Sequence, residues 1–321
     1  MVSKTDATIG ELGEGETLAR IFPVLPQSDS TLLGPGDDCA VLKTPGESIA
    51  ITKDLMVEGP DFRLAFSTGF DLGWKACATN LADIAAMGAT PTALVVGLLA
   101  PAETTIDFVV DIARGFKECA ESLAPGCGVI GGDLSRSDQI MISVTALGEF
   151  SGVDPVTRSG AKPGNLVAVA GELGLAAKGL RLLFERVPLG VAANQNPELA
   201  SLWNEEPELL SAQLRPAPPI KQGLVAARSG ATAMLDVSDG LVMDAGRIAR
   251  ASGVAIDLDL AATGDLDSLT GGEDHALLAC FPIGVKIPKG FRAIGRVQSG
   301  NGVLVDGVPF ESAGGWDSFR N

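Results

Sequence analysis

Six places in this 321-residue chain set a carboxylate beside glycine or at the end of an apolar run. Five are Gly36-Asp37-Asp38, Thr52-Lys53-Asp54, Gly132-Asp133, Asp236-Val237-Ser238-Asp239-Gly240 and Gly271-Gly272-Glu273-Asp274. The sixth is Asn80 with Asp83, three apart on a helical pattern, so that both point the same way. Taken singly, such motifs are ordinary turn chemistry. Ser238 or Asp239 would also cap a helix that starts at Leu241. Taken together, several directly after apolar strand patterns, they point to a site, because α/β folds place ligands at strand C-termini. Grouped carboxylates need a counter-charge. Two like charges about 4 Å apart repel by roughly 4 kcal/mol at an effective dielectric near 20. A hard divalent cation with oxygen ligands supplies that counter-charge, and magnesium most often joins protein carboxylates to substrate phosphates. Zinc and copper are disfavoured. There is one histidine, His275, and the cysteines (Cys39, Cys77, Cys119, Cys127, Cys280) are widely spaced with no C-x-x-C.

Contacts for phosphate are also visible. The glycines beside Asp133 and Glu273 free backbone N–H groups for an anion. Arg158 and Lys162, in TRSGAKPG, are cations in an acidic chain, although a solvated basic turn is an equal reading. G-x-x-x-x-G-K-[ST] does not occur, so an ATP enzyme here is not a P-loop protein; the one G-x-G-x-x-G match, Gly126 to Gly131, runs into a strand pattern instead of out of a strand into a helix, so it is not the dinucleotide fingerprint. His275 reads as a strand residue, and no Ser–His–Asp arrangement is assignable. The cysteines read as buried small hydrophobes. Trp316, in GGWDSF, is either a packing anchor or a platform for a ligand ring.

The elements that must position these groups alternate between strand and helix. Strand patterns fall at 47–54, 92–99, the GVI before Gly131, 140–148, 166–171, 233–237, 254–260 and 274–281. Helical patterns fall at 71–87, 106–124, 173–184 and 241–253. Residues 185–220, polar and interrupted by proline, read as a surface insertion or lid. The polar run DPVTRSGAKPGN at 154–165 marks a boundary, giving two domains, 1–150 and 151–321. This alternation predicts α/β or α+β architecture in both halves.

Composition sets the outer limits. The chain is 46% hydrophobic and 20% charged, with 40 glycines and no tyrosine. Its net charge of −16 opposes binding to nucleic acid or to an acidic membrane surface. No apolar run approaches the roughly 20 residues of a membrane-spanning helix. The opening MVSKTDATIGELGEGE is polar and acidic, unlike a signal peptide, so the cytoplasm is the expected location.

In order along the chain, GPGDDCAVL, NLADIAAMGATP, VIGGDLS, TRSGAKPG, LDVSDGL and TGGEDHAL resemble thiamine-monophosphate kinases, within the aminoimidazole ribonucleotide synthetase-like superfamily. The resemblance runs from residue 34 to Trp316. It implies the two-domain α/β (α+β) fold of that superfamily, with N-terminal sheets pairing across a homodimer and a C-terminal α/β domain completing the substrate site. It implies ATP-dependent phosphorylation of thiamine monophosphate to thiamine diphosphate. By motif match it makes Asp38, Thr52, Asp54, Asp83, Asp133, Asp236 and Asp239 the magnesium shell, with Asp54 and Asp133 central to catalysis. Gly132, Arg158 and Ser238 would contact ATP; Glu273, Trp316 and the position of Asp61 would face thiamine. Two positions depart from the family pattern. Lys53 stands where a hydroxyl residue is usual, which removes a possible metal ligand and adds a cation near the phosphates. Asp61, in VEGPDF, stands where histidine is usual. Two other functions fit the same motifs: a superfamily enzyme with a different acceptor, and a non-catalytic magnesium–nucleotide sensor.

Overall fold

The structure, a computed structural model, describes residues 7–33, 41–43 and 48–310. Asp38, Cys39 and Trp316 lie outside the described residues. The chain divides into two compact units. The first comprises Met1–Leu81, Pro91–Glu149 and Leu183–Glu205; the second comprises Ala82–Thr90, Phe150–Leu182 and Glu206–Asn321.

The first unit contains, in chain order, helix α1 (Ile9–Ile21), strands β1 (Thr31–Leu33), β2 (Val41–Leu42) and β3 (Ile49–Val57), and helix α2 (Gly69–Ala86), whose last turn belongs to the second unit. Strand β4 (Thr90–Ala100), helix α3 (Ile106–Leu123) and strands β5 (Gly128–Arg136) and β6 (Met141–Glu149) follow. The four long strands form one sheet in the order β3-β6-β4-β5, with β3 antiparallel to β6 and β4 parallel to β5. Strict alternation governs β6, whose even-numbered residues are buried. On β3 the odd-numbered row is the exposed one: Ile49, Ile51 and Leu55 are 40%, 62% and 54% exposed.

Helix α3 forms because Thr105 caps it, its side chain accepting from the Phe108 N–H, and because Ile106, Val109, Ile112, Ala113, Phe116 and Ala120 make one apolar stripe. Its contact with α2 is unusually close. A Cβ at Gly73 would lie 1.9 Å from the Ile112 carbonyl oxygen, and one at Gly115 would lie 2.1 Å from that of Phe70. The two backbones touch through glycine, so neither position tolerates a side chain. Cys77, Cys119 and Cys127 are free, buried thiols in this unit, as expected of small hydrophobes.

Beyond residue 150 the chain runs through strand β7 (Leu166–Ala170), helices α4 (Leu175–Arg186), α5 (Pro197–Glu205), α6 (Pro207–Leu214) and α7 (Ile220–Arg228), strand β8 (Ala233–Val237), helix α8 (Leu241–Ser252) and strand β9 (Ala255–Leu258). Short helices α9 (Leu260–Thr263) and α10 (Leu266–Thr270) lead to strands β10 (Ala276–Phe281), β11 (Arg292–Gln298), β12 (Gly302–Val305) and β13 (Val308–Pro309). The end of α4 and all of α5 group with the first unit. Seven strands form one sheet in the order β13-β12-β9-β11-β7-β10-β8. Only β12 with β9 runs parallel among its described pairs. Strands β8 and β10 are buried at every residue, and the core gathers Val167, Val169, Leu235, Ile248, Ile256, Leu278 and Ile294.

Residues 185–220 depart from the expected polar insertion. They hold α5, α6 and the start of α7, and Leu199, Leu202, Leu210 and Leu214 are buried. Pro197 and Pro207 open their helices instead of breaking them, because the first helical residue needs no N–H donor. Among the described residues no helix is long and apolar enough to cross a membrane.

The α2–α3 contact is open to test. Gly115→Ala is expected to cost about 1–3 kcal/mol through overpacking against the Phe70 carbonyl, read as a lower urea midpoint. An unchanged midpoint would show that the helices can part without penalty.

Candidate active site

In the first unit, β3 carries two candidates on the row opposite its exposed one. Thr52 and Asp54 share that side, and the Asp54 backbone N–H donates to Asn80 Oδ1 at 3.2 Å. Asn80 is itself fixed by donating to the Ala76 carbonyl at 2.9 Å, so α2 and β3 are joined where the two motifs meet. Lys53 points the other way, because strand neighbours alternate. Its ammonium donates to Ser143 Oγ at 2.6 Å, on the face of Ile51 and Leu55. Lys53 thus lies on the face opposite Asp54 and lines one cavity with Gly132 and Asp133. Asp61 closes the turn after β3: its carboxylate accepts from the Val57 N–H at 2.7 Å, while the Gly59 N–H donates to the Phe62 carbonyl at 2.8 Å.

Asp133 is exposed on β5 and accepts from Ser135 Oγ at 2.8 Å. Strands β3 and β5 are opposite edges of the sheet, three strand spacings or about 14 Å apart. The two glycines before Asp133 differ. A Cβ at Gly131 would meet open space; one at Gly132 would lie 1.9 Å from the Val96 carbonyl oxygen. Gly132 is thus required by its neighbour strand, whatever else its backbone does.

In the second unit the motifs converge on the end of β8. Asp236 is buried, and its Oδ2 lies 3.2 Å from His275 Nδ1. The Glu273 N–H donates to the Ser238 carbonyl at 2.7 Å, and the His275 N–H donates to that of Val237 at 2.9 Å. This clamp needs glycine: a Cβ at Gly272 would lie 2.8 Å from the Ser238 oxygen. Glu273 and His275 both have left-handed backbone, with φ of 68° and 51°. Two non-glycine residues in that region within one loop mark stored strain, which clusters at functional sites. His275 accordingly precedes β10 instead of lying in it, contrary to the strand expected at 274–281.

Asp239 is held by Arg247, whose Nη2 donates to its Oδ2 at 2.5 Å, and its own N–H donates to Asp244 Oδ2 at 3.0 Å. Arg247 also bonds Asp244, which is fully buried. Burial pushes the Asp244 carboxyl up to about 7, against the pull of Arg247. Sequence reasoning missed both residues. Their spacing of three on the helix that follows the Ser238-Asp239-Gly240 turn was the available signal. Asp274 reaches across the unit to α4, accepting from the Gly174 N–H at 2.6 Å and the Ala176 N–H at 3.1 Å. Arg158 is exposed beside the start of β8, where Thr157 accepts from the Met234 N–H, and the Arg158 carbonyl accepts from Ser252 Oγ at 2.8 Å. Asp83 lies in the last turns of α2.

The structure therefore brings Asp236, Ser238, Asp239 and Glu273 to one strand end, and Thr52 and Asp54 to another element, with Asp133 at the far edge of that sheet. Among the described residues no group of three or more His, Cys, Asp or Glu side chains forms a ready metal cage. The donors are oxygen throughout, and magnesium needs only one or two carboxylates beside substrate phosphates. The set fits an ion that arrives with a nucleotide.

Comparison with known proteins gives the same direction. A thiamine-monophosphate kinase from Mycobacterium tuberculosis is 42% identical over 330 residues, covering 97% of this chain and 93% of the relative. The chain belongs to the thiamine-monophosphate kinase family. The family described as AIR synthase related protein, N-terminal domain, matches residues 36–150. The crystal structure of thiamine-monophosphate kinase from Stenotrophomonas maltophilia K279a superposes with a TM-score of 0.76 at 32% identity, over 92% of this chain and 95% of that one. A structure of AaThiL complexed with AMPPCP and TMP superposes with a TM-score of 0.72 at 29% identity, over 95% and 97%. The fold is thus the AIR synthase-like fold, a mixed α/β architecture with two sheets.

The Asp274 contact gives a pH prediction. Burial raises its carboxyl to about 6, despite the two backbone donors that favour the anion. An unfolded aspartate titrates near 3.9. Between about pH 4 and 6 the folded chain therefore binds more protons than the unfolded one, and this contribution to stability falls as pH rises through that window. Asp274→Asn should lose less stability than the parent between pH 4.5 and 7.5, measured by urea midpoints. Equal losses in both proteins would remove Asp274 as a source of the slope.

Proposed function

We propose that the protein transfers the γ-phosphoryl group of ATP directly to thiamine monophosphate, giving thiamine diphosphate and ADP. The observation that carries this reading is the carboxylate-ringed end of β8 with the Gly271–His275 loop clamped on it, in a chain of this family. The acceptor is a phosphate oxygen already ionised at neutral pH, so no general base is needed. That agrees with a site whose one histidine is buried against Asp236. The difficulty is bringing two anionic phosphates together among carboxylates. Magnesium carried in with ATP supplies neutralisation and alignment when bound. Asp38, Thr52, Asp54, Asp83, Asp133, Asp236 and Asp239 are the residues that would hold it.

This chain's own groups have the remaining roles. Asp54 and Asp133 orient the reacting phosphates. Gly132, Arg158 and Ser238 meet the nucleotide, and Glu273, Trp316 and the Asp61 turn bound the thiamine side. Residues 1–150 serve the nucleotide and the dimer, and 151–321 complete the substrate site. The homodimer would form on the face of β3 that exposes Ile49, Ile51 and Leu55, since such an apolar row on a sheet favours cover by a second copy. The reaction belongs in the cytoplasm, where ATP is supplied.

Incubation with ATP, magnesium and thiamine monophosphate should yield thiamine diphosphate by chromatography, and EDTA should abolish it. Asp133→Asn should lower kcat by on the order of 10²-fold, as losing one charge-placing group does. Its melting temperature should hold within about 2 °C, because the residue is exposed. Near-normal turnover would remove Asp133 from the site; ATP binding without product would leave the fold and overturn the acceptor. For the dimer, Ile51→Glu should halve the mass in sedimentation equilibrium, and an unchanged mass would exclude the β3 face.

A further inference from the structure

Gln213, on α6, belongs to none of the sequence motifs. Its side chain is only 4% exposed. Its Nε2 donates to Glu273 Oε2 at 2.6 Å. A carboxylate accepts and does not donate, so the amide is fixed with its NH2 toward Glu273 and its carbonyl turned away. That carbonyl oxygen, Oε1, is buried, and among the described residues no donor meets it. An orphaned buried acceptor lowers stability, and an apolar residue of the same size would remove that loss. The bond to Glu273 accounts for the amide nitrogen, but among the described residues nothing in the fold uses the carbonyl.

The surroundings hold Gln213 rigidly. Helix α4 presents Gly179 to α6, where an added Cβ would lie 2.2 Å from the Leu209 carbonyl oxygen and 3.1 Å from Gln213 Cβ. Glu273 is fixed from the other direction by its left-handed backbone and by its N–H bond to Ser238. The Gln213 amide thus joins a rigid helix to the half-buried Glu273 carboxylate of the strained loop, and selects its orientation.

We propose that Gln213 is a positioning residue for the acceptor substrate: it locks the Glu273 carboxylate in the rotamer that receives the N–H-bearing aminopyrimidine head of thiamine. The inference rests on the acceptor assignment above, because it gives Glu273 the thiamine side of the site. Gln213 acts through Glu273 and has no part in holding the nucleotide, so the two substrates separate its role from a general one.

Gln213→Met keeps the volume and removes both the amide donor and the orphaned carbonyl. The expected result is a folded protein whose melting temperature falls by no more than a few degrees, because the variant removes the orphaned carbonyl but leaves half-buried Glu273 without its amide donor. KM for thiamine monophosphate should rise about tenfold, the size of one lost bond to a charged group. KM for ATP should stay within about twofold. Calorimetric titration with thiamine monophosphate alone should show the same weakening. Glu273→Gln combined with Gln213→Met should weaken binding no further than Glu273→Gln alone, because both act through one contact. Gln213→Asn, which keeps an amide but falls one methylene short, is the second variant and should raise the same KM.

Unchanged affinity for thiamine monophosphate in either folded variant would overturn the proposal. Equal shifts for both substrates, or additivity with Glu273→Gln, would overturn it as well. Failure of the acceptor assignment looks different: the parent protein itself would neither bind nor phosphorylate thiamine monophosphate, and this inference would fall with it.

Discussion

Like charges gathered at a strand end must each find a partner before any ligand arrives, and the second unit is organised around that requirement. Asp236 meets His275. Asp239 and Asp244 share Arg247. Glu273 meets Gln213, and Asp274 meets the N-terminus of α4. Each partner comes from a different element: β10's approach, α8, α6 and α4. The carboxylates therefore hold the unit together. Removing either member of such a pair leaves a charge in a partly desolvated place, which is why these contacts constrain the packing of four elements at once.

The same requirement explains how the loop after α10 lies. Gly271 and Gly272 let the backbone press against Asp267 and Ser238, with no room for a Cβ. Once there, Glu273 and His275 are driven into left-handed conformations that cost free energy. The bonds from the Glu273 and His275 N–H groups to β8 and its turn offset that cost locally. Strain held this way keeps two side chains from relaxing into the common rotamers of extended backbone, so that their directions are set before substrate binds.

The first unit solves a different problem. Its candidates lie on a sheet with a short repeat across strands, so Asp54 and Asp133 at the two edges stay apart whatever their rotamers. What the sheet provides is direction. Alternation turns Thr52 and Asp54 to one face and Lys53 to the other, where its ammonium bonds Ser143 and lines one cavity with Asp133. A change that keeps the strand's period leaves the neighbouring positions undisturbed.

Much of this was legible in the sequence. The period of apolar residues located α2, α3, α8 and the strands β4, β6, β7 and β8 to within a few residues, because burial on one face demands that period. The motifs in their order identified the family, since each fixes a backbone position beside a carboxylate. The helices within residues 185–220 were not legible, because proline marks a helix start as readily as a break, and only the burial of Leu199, Leu202, Leu210 and Leu214 distinguishes them. Gln213 carries no motif, because a donor to a carboxylate need only be near in space and any group of the right reach will do. Sequence thus determined the elements, the family and the identity of the acidic groups, all of which depend on local spacing. Tertiary structure alone decided which donor each carboxylate receives and which edge of the sheet each occupies, because those are set by packing between segments up to about a hundred residues apart along the chain.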